Sequence, residues 1–383
     1  MWLLVLVTLS GTMAMHMFAP ALPLMAQEFG AAPGQAQLTI SVYIAGLAVG
    51  QLFYGPLSDS FGRRPLLIVG LVLYAAGGVL AALAPDVHVL VAARLLQALG
   101  GCAGLTLGRA IVRDSSTPDE TLKKLATLNL MIMVGPGLSP MLGSLLARGL
   151  GWRAVFWLLA GAGALTLVLA VRTLAETGST KGAFTARALL ADYRRLLTSR
   201  RFVCLALAGG CATTAIYAFI ATAPFLFHAE LGRPLEEVGF YLGVVVFGLS
   251  LGNLLAGRLS RRFSMDRLLR AGILLCLFGS LAFLGLNLAS WLSVGGVLAT
   301  MLVFSCGAGL VSPVALAKTV SVDPALTGSA AGLYGFTQML VGAVCTSLAT
   351  LGSSPALATA IILVGAVVFA GGAFTLGTRA GPR

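Results

Sequence analysis

Apolar residues come along this chain in runs of about twenty, separated by short polar breaks. Twelve runs fall at about 2–23, 37–57, 66–84, 89–111, 122–147, 153–174, 202–226, 236–256, 268–288, 291–316, 328–350 and 355–376. A helix needs roughly 20 predominantly apolar residues to cross a hydrocarbon layer about 30 Å thick, so each run has the length of one crossing. The pattern predicts an all-α membrane protein with twelve transmembrane helices in two pseudo-symmetric six-helix bundles. The N-terminal bundle is expected over 1–175, a cytoplasmic linker over 176–201 and the C-terminal bundle over 202–383.

Composition agrees, since 58% hydrophobic residues, 10% charged residues and a mean hydropathy of +0.96 do not describe a soluble domain. The net charge of +12 raises the question of a nucleic-acid partner. Placement answers it: the bases concentrate in every second connection, as at Arg63 and Arg64, Lys123 and Lys124, Arg194 and Arg195, and Arg261 and Arg262. The opposite connections and flanks hold Arg148, Arg153 and Arg233, and Arg94 alone lies inside a run away from its ends. That asymmetry is the positive-inside pattern. It puts both termini in the cytoplasm and makes the lipid bilayer, rather than nucleic acid, the partner. The six cysteines all fall within spans, without metal-type or disulfide spacing. The first run lacks a basic segment before it and a small-residue cleavage site after it, so it reads as a span rather than a secretory signal.

The longest polar stretch, 176–201, divides the chain nearly in half. Its second portion, Ala186 to Leu197, spaces apolar and basic residues as an amphipathic helix would. A helix on the cytoplasmic membrane surface and a plain solvated connector both fit. The halves echo each other. Phe18-Ala-Pro-Ala-Leu-Pro23 returns loosely as Phe219-Ile-Ala-Thr-Ala-Pro224, and Gly55-Pro-Leu-Ser-Asp-Ser-Phe61 as Gly257-Arg-Leu-Ser-Arg-Arg-Phe263. Offsets of 201 and 202 residues point to a duplicated half, as in transporters whose halves are related by an axis along the membrane normal.

The loop after the second run, Gly55-Pro-Leu-Ser-Asp59-Ser-Phe-Gly62-Arg63-Arg64, resembles the G-x-L-x-D-R-x-G-R-R signature of the major facilitator superfamily. Further motifs are Arg94-Leu-Leu-Gln97-Ala-Leu-Gly-Gly101, Gly108-Arg109-Ala-Ile-Val-Arg113-Asp114 and Pro136-Gly-Leu-Ser-Pro140-Met-Leu-Gly143. With these the N-terminal half resembles the Bcr/CflA drug:proton antiporters, while the C-terminal half resembles only the general superfamily. The resemblance implies proton-coupled efflux of small amphipathic drugs or metabolites by alternating access across a bacterial inner membrane. No cofactor is then needed beyond the proton gradient, the partners are a small-molecule substrate and protons, and the protein acts as a monomer.

It also implies a gating latch formed by Gly55, Asp59, Gly62, Arg63, Arg64, Arg109, Arg113 and Asp114. The residues suit it: glycine permits a tight reversal, and Arg63 and Arg64 can pair with Asp114. The family's Arg after the Asp is Ser60 here, which removes one partner. The competing reading is a basic loop that only sets topology. In the fifth span, Gly135, Pro136, Pro140 and Gly143 permit close approach and bending. In the family such a helix accompanies antiport, and a plain packing seam is the alternative.

Arg94 lies within the fourth span, where a charge costs roughly 2.5–3.5 kcal/mol on insertion scales and calls for a cavity or a partner. It reads either as a proton-coupling or substrate-binding group, or as a donor tying the fourth helix to carbonyls of the first. The related antiporters carry an acid in the first helix where this chain has His16. All thirteen Asp and Glu sit in loops or at span ends. His16 therefore reads either as the replacement proton carrier, because imidazole changes charge near neutral pH, or as a neutral histidine hydrogen-bonded inside the bundle. A protonated His16 beside Arg94 would favour neutral or anionic substrates. In this fold the substrate cavity draws on Phe18, Tyr43, Gln97, Asn129, Met133, Tyr217, Phe219, Tyr241, Asn253, Tyr334 and Gln338. Trp2, Trp152 and Trp291 read as interfacial anchors. Two alternatives stand beside efflux: proton-linked uptake of a small polar solute on the same fold, and a non-transporting membrane scaffold. An enzyme is disfavoured, because the chain has no HExxH or Walker sequence.

Overall fold

A computed structural model of the chain describes residues 2–114, 138–177, 186–349 and 354–379. Among the described residues every regular element is helical, and eleven helices are long and apolar enough to cross a bilayer. Hydrocarbon offers backbone groups no hydrogen bonds, so a spanning segment must satisfy its own, and a helix does so. The expected fifth span, 122–147, lies largely outside the described residues. Its described part is a helix over 138–150, α6.

The chain divides into two compact units, residues 1–186 and 187–383. In the first, the opening span is broken. Helix α1 (Trp2–Phe18) tightens into a 3₁₀ turn at Ala19–Ala21 before α2 (Leu22–Phe29) resumes. Pro20 and Pro23 explain the break, because proline cannot donate to the carbonyl four residues earlier. Helices α3 (Pro33–Phe61), α4 (Arg63–Ala82), α5 (Val87–Asp114) and α7 (Arg153–Thr173) complete the described part.

Helix α5 is the hub, packed against α1, α3 and α4, and small residues set the spacing. A Cβ on Gly104 would overlap the Val7 carbonyl of α1, and one on Gly77 of α4 would stand 2.5 Å from the Gln97 nitrogen. Such contacts let backbones approach where hydrophobicity gives no drive between helices already in lipid.

The second unit repeats the plan. Helix α8 (Ala186–Thr198) precedes a span built of α9 (Arg200–Thr214), α10 (Ile216–Phe225) and a π turn at Leu226–Glu230. Helices α11 (Leu235–Leu259), α12 (Met265–Leu288), α13 (Val294–Val320), α14 (Thr327–Leu348) and α15 (Pro355–Arg379) follow. Helix α13 packs against α9, α11 and α12, as α5 does against α1, α3 and α4. The broken first spans also correspond, at Pro20 and Pro23 in one unit and Pro224 in the other. Exposed Val72, Trp157, Phe247, Leu274 and Phe278 give the outer faces of the helices an apolar surface suited to lipid.

Part of the polar stretch 176–201 belongs to the packing of the second unit. On α8, Leu196 is buried, Asp192 accepts from the Ser329 hydroxyl at 3.3 Å, and Arg195 pairs with Asp323 at 2.8 Å.

Candidate functional site

Two clusters of charged side chains stand out in the first unit. The deeper one surrounds Arg94, which is wholly buried. Its position in α5 faces α3, α1 and α7, and each supplies a ring. The guanidinium carbon lies 3.9 Å from the centroid of Tyr43, 5.5 Å from Phe18 and 5.6 Å from Phe156. Arg94 Nη1 donates to Gln97 Oε1 at 2.7 Å, one turn along the same helix. Among the described residues Arg94 Nε, Arg94 Nη2 and Gln97 Nε2 have no hydrogen-bond partner.

Four of the sequence candidates, Phe18, Tyr43, Arg94 and Gln97, thus meet at one point. Tying to α1 carbonyls, one reading of Arg94, is done instead by two tyrosines: Tyr43 Oη donates to the Gly11 carbonyl at 2.7 Å and Tyr74 Oη to that of Ser10 at 2.9 Å. His16 is buried two residues before Phe18, in the last turn of α1. Among the described residues the buried ionisable cations are His16, Arg63 and Arg94, and no Asp or Glu is buried. Cation–π contact offsets part of the cost of a buried guanidinium, but an aromatic face offers no lone pair.

The second cluster lies at the α3–α4 junction. Arg63 Nη2 pairs with Asp59 Oδ1 at 2.6 Å, its Nε with Asp114 Oδ2 at 3.0 Å, and its Nη1 with the Ser58 hydroxyl. Arg64 turns away from Asp114, and its Nη2 donates to the Val171 carbonyl at 2.8 Å. The start of α4 is met by Glu176, not by Asp59. Its carboxylate accepts from the backbone nitrogens of Arg63 at 2.8 Å and Arg64 at 3.2 Å. A carboxylate there satisfies orphan N–H groups and complements the helix dipole. Gly62 makes room for it, with φ 92° and ψ 157°, and a Cβ on Gly62 would stand 2.6 Å from Glu176 Oε2. Gly55 has open space around it.

Sequence reasoning missed Glu176. The residue opens the long polar stretch, 113 positions after Arg63, and only its sign hinted at a helix N-terminus.

The second unit has a counterpart of opposite polarity. Asp266, in the first turn of α12, pairs with Lys318, in the last turn of α13. These charges agree with the dipoles of their helices, whereas Arg63 at the start of α4 and Asp114 at the end of α5 oppose theirs. In the first unit Glu176 brings the negative charge to the start of α4, whereas in the second Asp266 already stands in the first turn of α12 and the Ser264 hydroxyl caps it.

The other candidates scatter within the second unit. Phe219 packs edge-on against Phe227 and Phe283, with centroids 6.4 and 6.0 Å away. Tyr241 Oη bonds Glu237, Asn253 Nδ2 donates to the Leu249 carbonyl at 3.1 Å, and Gln338 Nε2 donates to Thr213 Oγ1 at 2.9 Å. Tyr334 is buried with no hydrogen-bond partner for its hydroxyl among the described residues, and Tyr217 is half-buried. Asn129, Met133, Gly135 and Pro136 lie outside the described residues, as do the side chains of Arg109 and Arg113 in α5. Pro140 and Gly143 are buried in α6, where a Cβ on Gly143 would overlap the Met17 carbonyl.

One anchor is corrected. Trp2 and Trp291 are exposed, but Trp152 is buried, its ring edge-on to Phe29 and Phe156 and its Nε1 donating to Glu28 at 2.6 Å. Protein surrounds it because the end of α2, with Glu28 and Phe29, meets the start of α7.

Among curated proteins, the chain is 32% identical over 355 residues to multidrug resistance protein D of Escherichia coli K12, covering 91% of this chain and 88% of the relative. It is 28% identical to the multidrug transporter MdfA of Yersinia pestis, covering 88% and 83%, and 24% identical to a bicyclomycin resistance protein homologue of Haemophilus influenzae, covering 87% and 84%. Its fold is similar to that of a D-xylose–proton symporter (TM-score 0.75, 17% identity, 96% of each chain). A bacterial homologue of the human lysosomal transporter Spinster also has a TM-score of 0.75, at 17% identity, covering 99% of this chain and 96% of that one. Residues 4–346 match the family model of the Major Facilitator Superfamily, and the chain belongs to that superfamily.

Proposed function

We propose that this protein exports small amphipathic compounds across a bacterial inner membrane in exchange for protons. The observation that carries the reading is likeness over most of the chain to relatives named for multidrug transport and resistance. The first unit supplies chemistry that suits it: a buried histidine and a buried arginine at an aromatic cluster, with no carboxylate buried among the described residues.

In this reading His16 carries the proton, because imidazole exchanges one near neutral pH, and Arg94 couples that charge to substrate held among Phe18, Tyr43 and Gln97. Asn129, Met133, Tyr217, Phe219, Tyr241, Tyr334 and Gln338 complete the substrate path. The Arg63 cluster, with Arg109 and Arg113, is a latch of the transport cycle. Gly135, Pro136, Pro140 and Gly143 give the fifth span the bend of an antiporter. The protein acts as a monomer powered by the proton gradient, with both termini and the basic loops cytoplasmic and α8 resting on the inner leaflet.

The test is substrate-triggered proton movement in everted vesicles, followed with a pH-sensitive dye while neutral and cationic amphipaths are added in turn. Export predicts that at least one compound dissipates the gradient and that His16→Ala, still folded, abolishes the response. An unchanged response in His16→Ala removes the histidine from the mechanism.

A further inference from the structure

The Arg94 guanidinium is a buried cation that lacks two of its acceptors among the described residues. One donor, Nη1, is used by Gln97, and the two left over, Nε and Nη2, form one side of the planar fork. That side matches the two oxygens of a carboxylate, the pairing that gives arginine its bidentate geometry. Gln97 Nε2, also without a partner, adds a third donor on the same turn of α5. Around them stand the rings of Tyr43, Phe18 and Phe156. Buried donors and charges are ordinarily satisfied, and among the described residues no carboxylate is buried.

We infer that the missing acceptor comes with the cargo: the Arg94 cluster is a subsite for amphipathic organic anions, with aromatic carboxylates as the simplest class. The carboxylate spans Nε and Nη2 and reaches Gln97 Nε2, while the apolar body lies against the three rings. Lipophilic cations meet an uncompensated positive charge there and are excluded. Arg94 is enclosed in this structure, so occupancy accompanies the opening step of the transport cycle. The inference rests on the export reading for its claim that the bound anion is cargo.

The test uses three isosteric probes, 1-naphthoate, 1-naphthamide and 1-naphthylmethylammonium, with the full chain in lipid nanodiscs and binding read by equilibrium dialysis. The parent should bind naphthoate about tenfold or more tighter than naphthamide, and naphthylmethylammonium weakest. Arg94→Gln should lose about tenfold to a hundredfold in naphthoate affinity, the worth of charge-assisted hydrogen bonds, and Arg94→Lys should fall between. Gln97→Glu guards against a folding artefact. It places a carboxylate against Arg94, so naphthoate binding should vanish while the melting temperature holds or rises.

Naphthylmethylammonium binding tighter than naphthoate, or parent-like naphthoate binding in folded Gln97→Glu, overturns the inference. Proton movement in vesicles separates it from the export reading. A chain that exchanges protons for a neutral compound but does not bind naphthoate keeps its function and loses this subsite. One that binds naphthoate through Arg94 yet moves no protons with any compound keeps the anion site and loses the antiport.

Discussion

Gly62 and Glu176 are coupled strongly enough for a double-mutant cycle to read. At φ 92° and ψ 157° the Gly62 backbone lies in a region essentially reserved for glycine, where other residues cost of order 1–3 kcal/mol. The Gly62→Ala methyl also lands 2.6 Å from Glu176 Oε2, so the carboxylate must withdraw and release the nitrogens of Arg63 and Arg64. Losing a cap of this kind costs about 0.5–2 kcal/mol, and exposure of Glu176 to solvent favours the lower half of that range. Gly62→Ala should therefore destabilise by about 2–4 kcal/mol, combining backbone strain with cap loss. Glu176→Ala should cost about 0.5–1 kcal/mol. In the double variant the cap is lost only once and the clash is gone, so its cost should fall below the sum of the singles by about 0.5–1.5 kcal/mol. The assay is thermal unfolding of all four proteins in one detergent, with amide exchange at the start of α4 as a local readout. Strict additivity, or unchanged exchange at Arg63 and Arg64 in Glu176→Ala, refutes the cap.

Three further outcomes follow from the same geometry. Tyr43→Phe removes the hydroxyl bond to the Gly11 carbonyl and should cost about 1 kcal/mol while leaving transport near parent level, whereas Tyr43→Ala also strips the ring from Arg94 and should abolish transport; both are read by vesicle assay and melting temperature. Gly104→Val drives a side chain into the Val7 carbonyl and should prevent α1 from seating on α5, seen as loss of folded protein on size-exclusion chromatography. Arg63→Gln leaves Asp59 and Asp114 without their shared cation and should slow transport severely, while Lys318→Gln breaks one pair whose partner Asp266 still suits its helix N-terminus and should slow it less. Equal effects of these two changes on the vesicle rate would remove the distinction between the units.

Much of the fold was legible because bilayer insertion is a local property of sequence. A run of about twenty apolar residues identifies a crossing wherever it occurs, and α4, α7, α12 and α15 begin within three residues of their expected starts. Pro20, Pro23 and Pro224 were legible only as part of the repeat between the halves; that they break the first span of each unit came with the fold, through a missing N–H that acts on its own turn. Pairing of Arg63 with Asp114 was also readable, because two opposite charges at adjoining helix ends have few other choices.

Tertiary structure decided what depends on helix rotation and on approach between distant segments. Hydropathy does not say which way Arg94 points; packing of α5 against α1 and α3, and of α7 against α1, brings Phe18, Tyr43 and Phe156 around it and leaves two of its donors unmatched among the described residues. The same holds for Trp152, buried where the end of α2 meets the start of α7, and for Glu176, carried to α4 by the short stretch after α7. Sequence therefore determined the solvent of this protein, its crossings and its repeated halves, all set by transfer energies summed over neighbouring residues. The charged sites were decided only by the fold, because a buried charge takes its meaning from whatever side chains packing sets within a few ångströms of it.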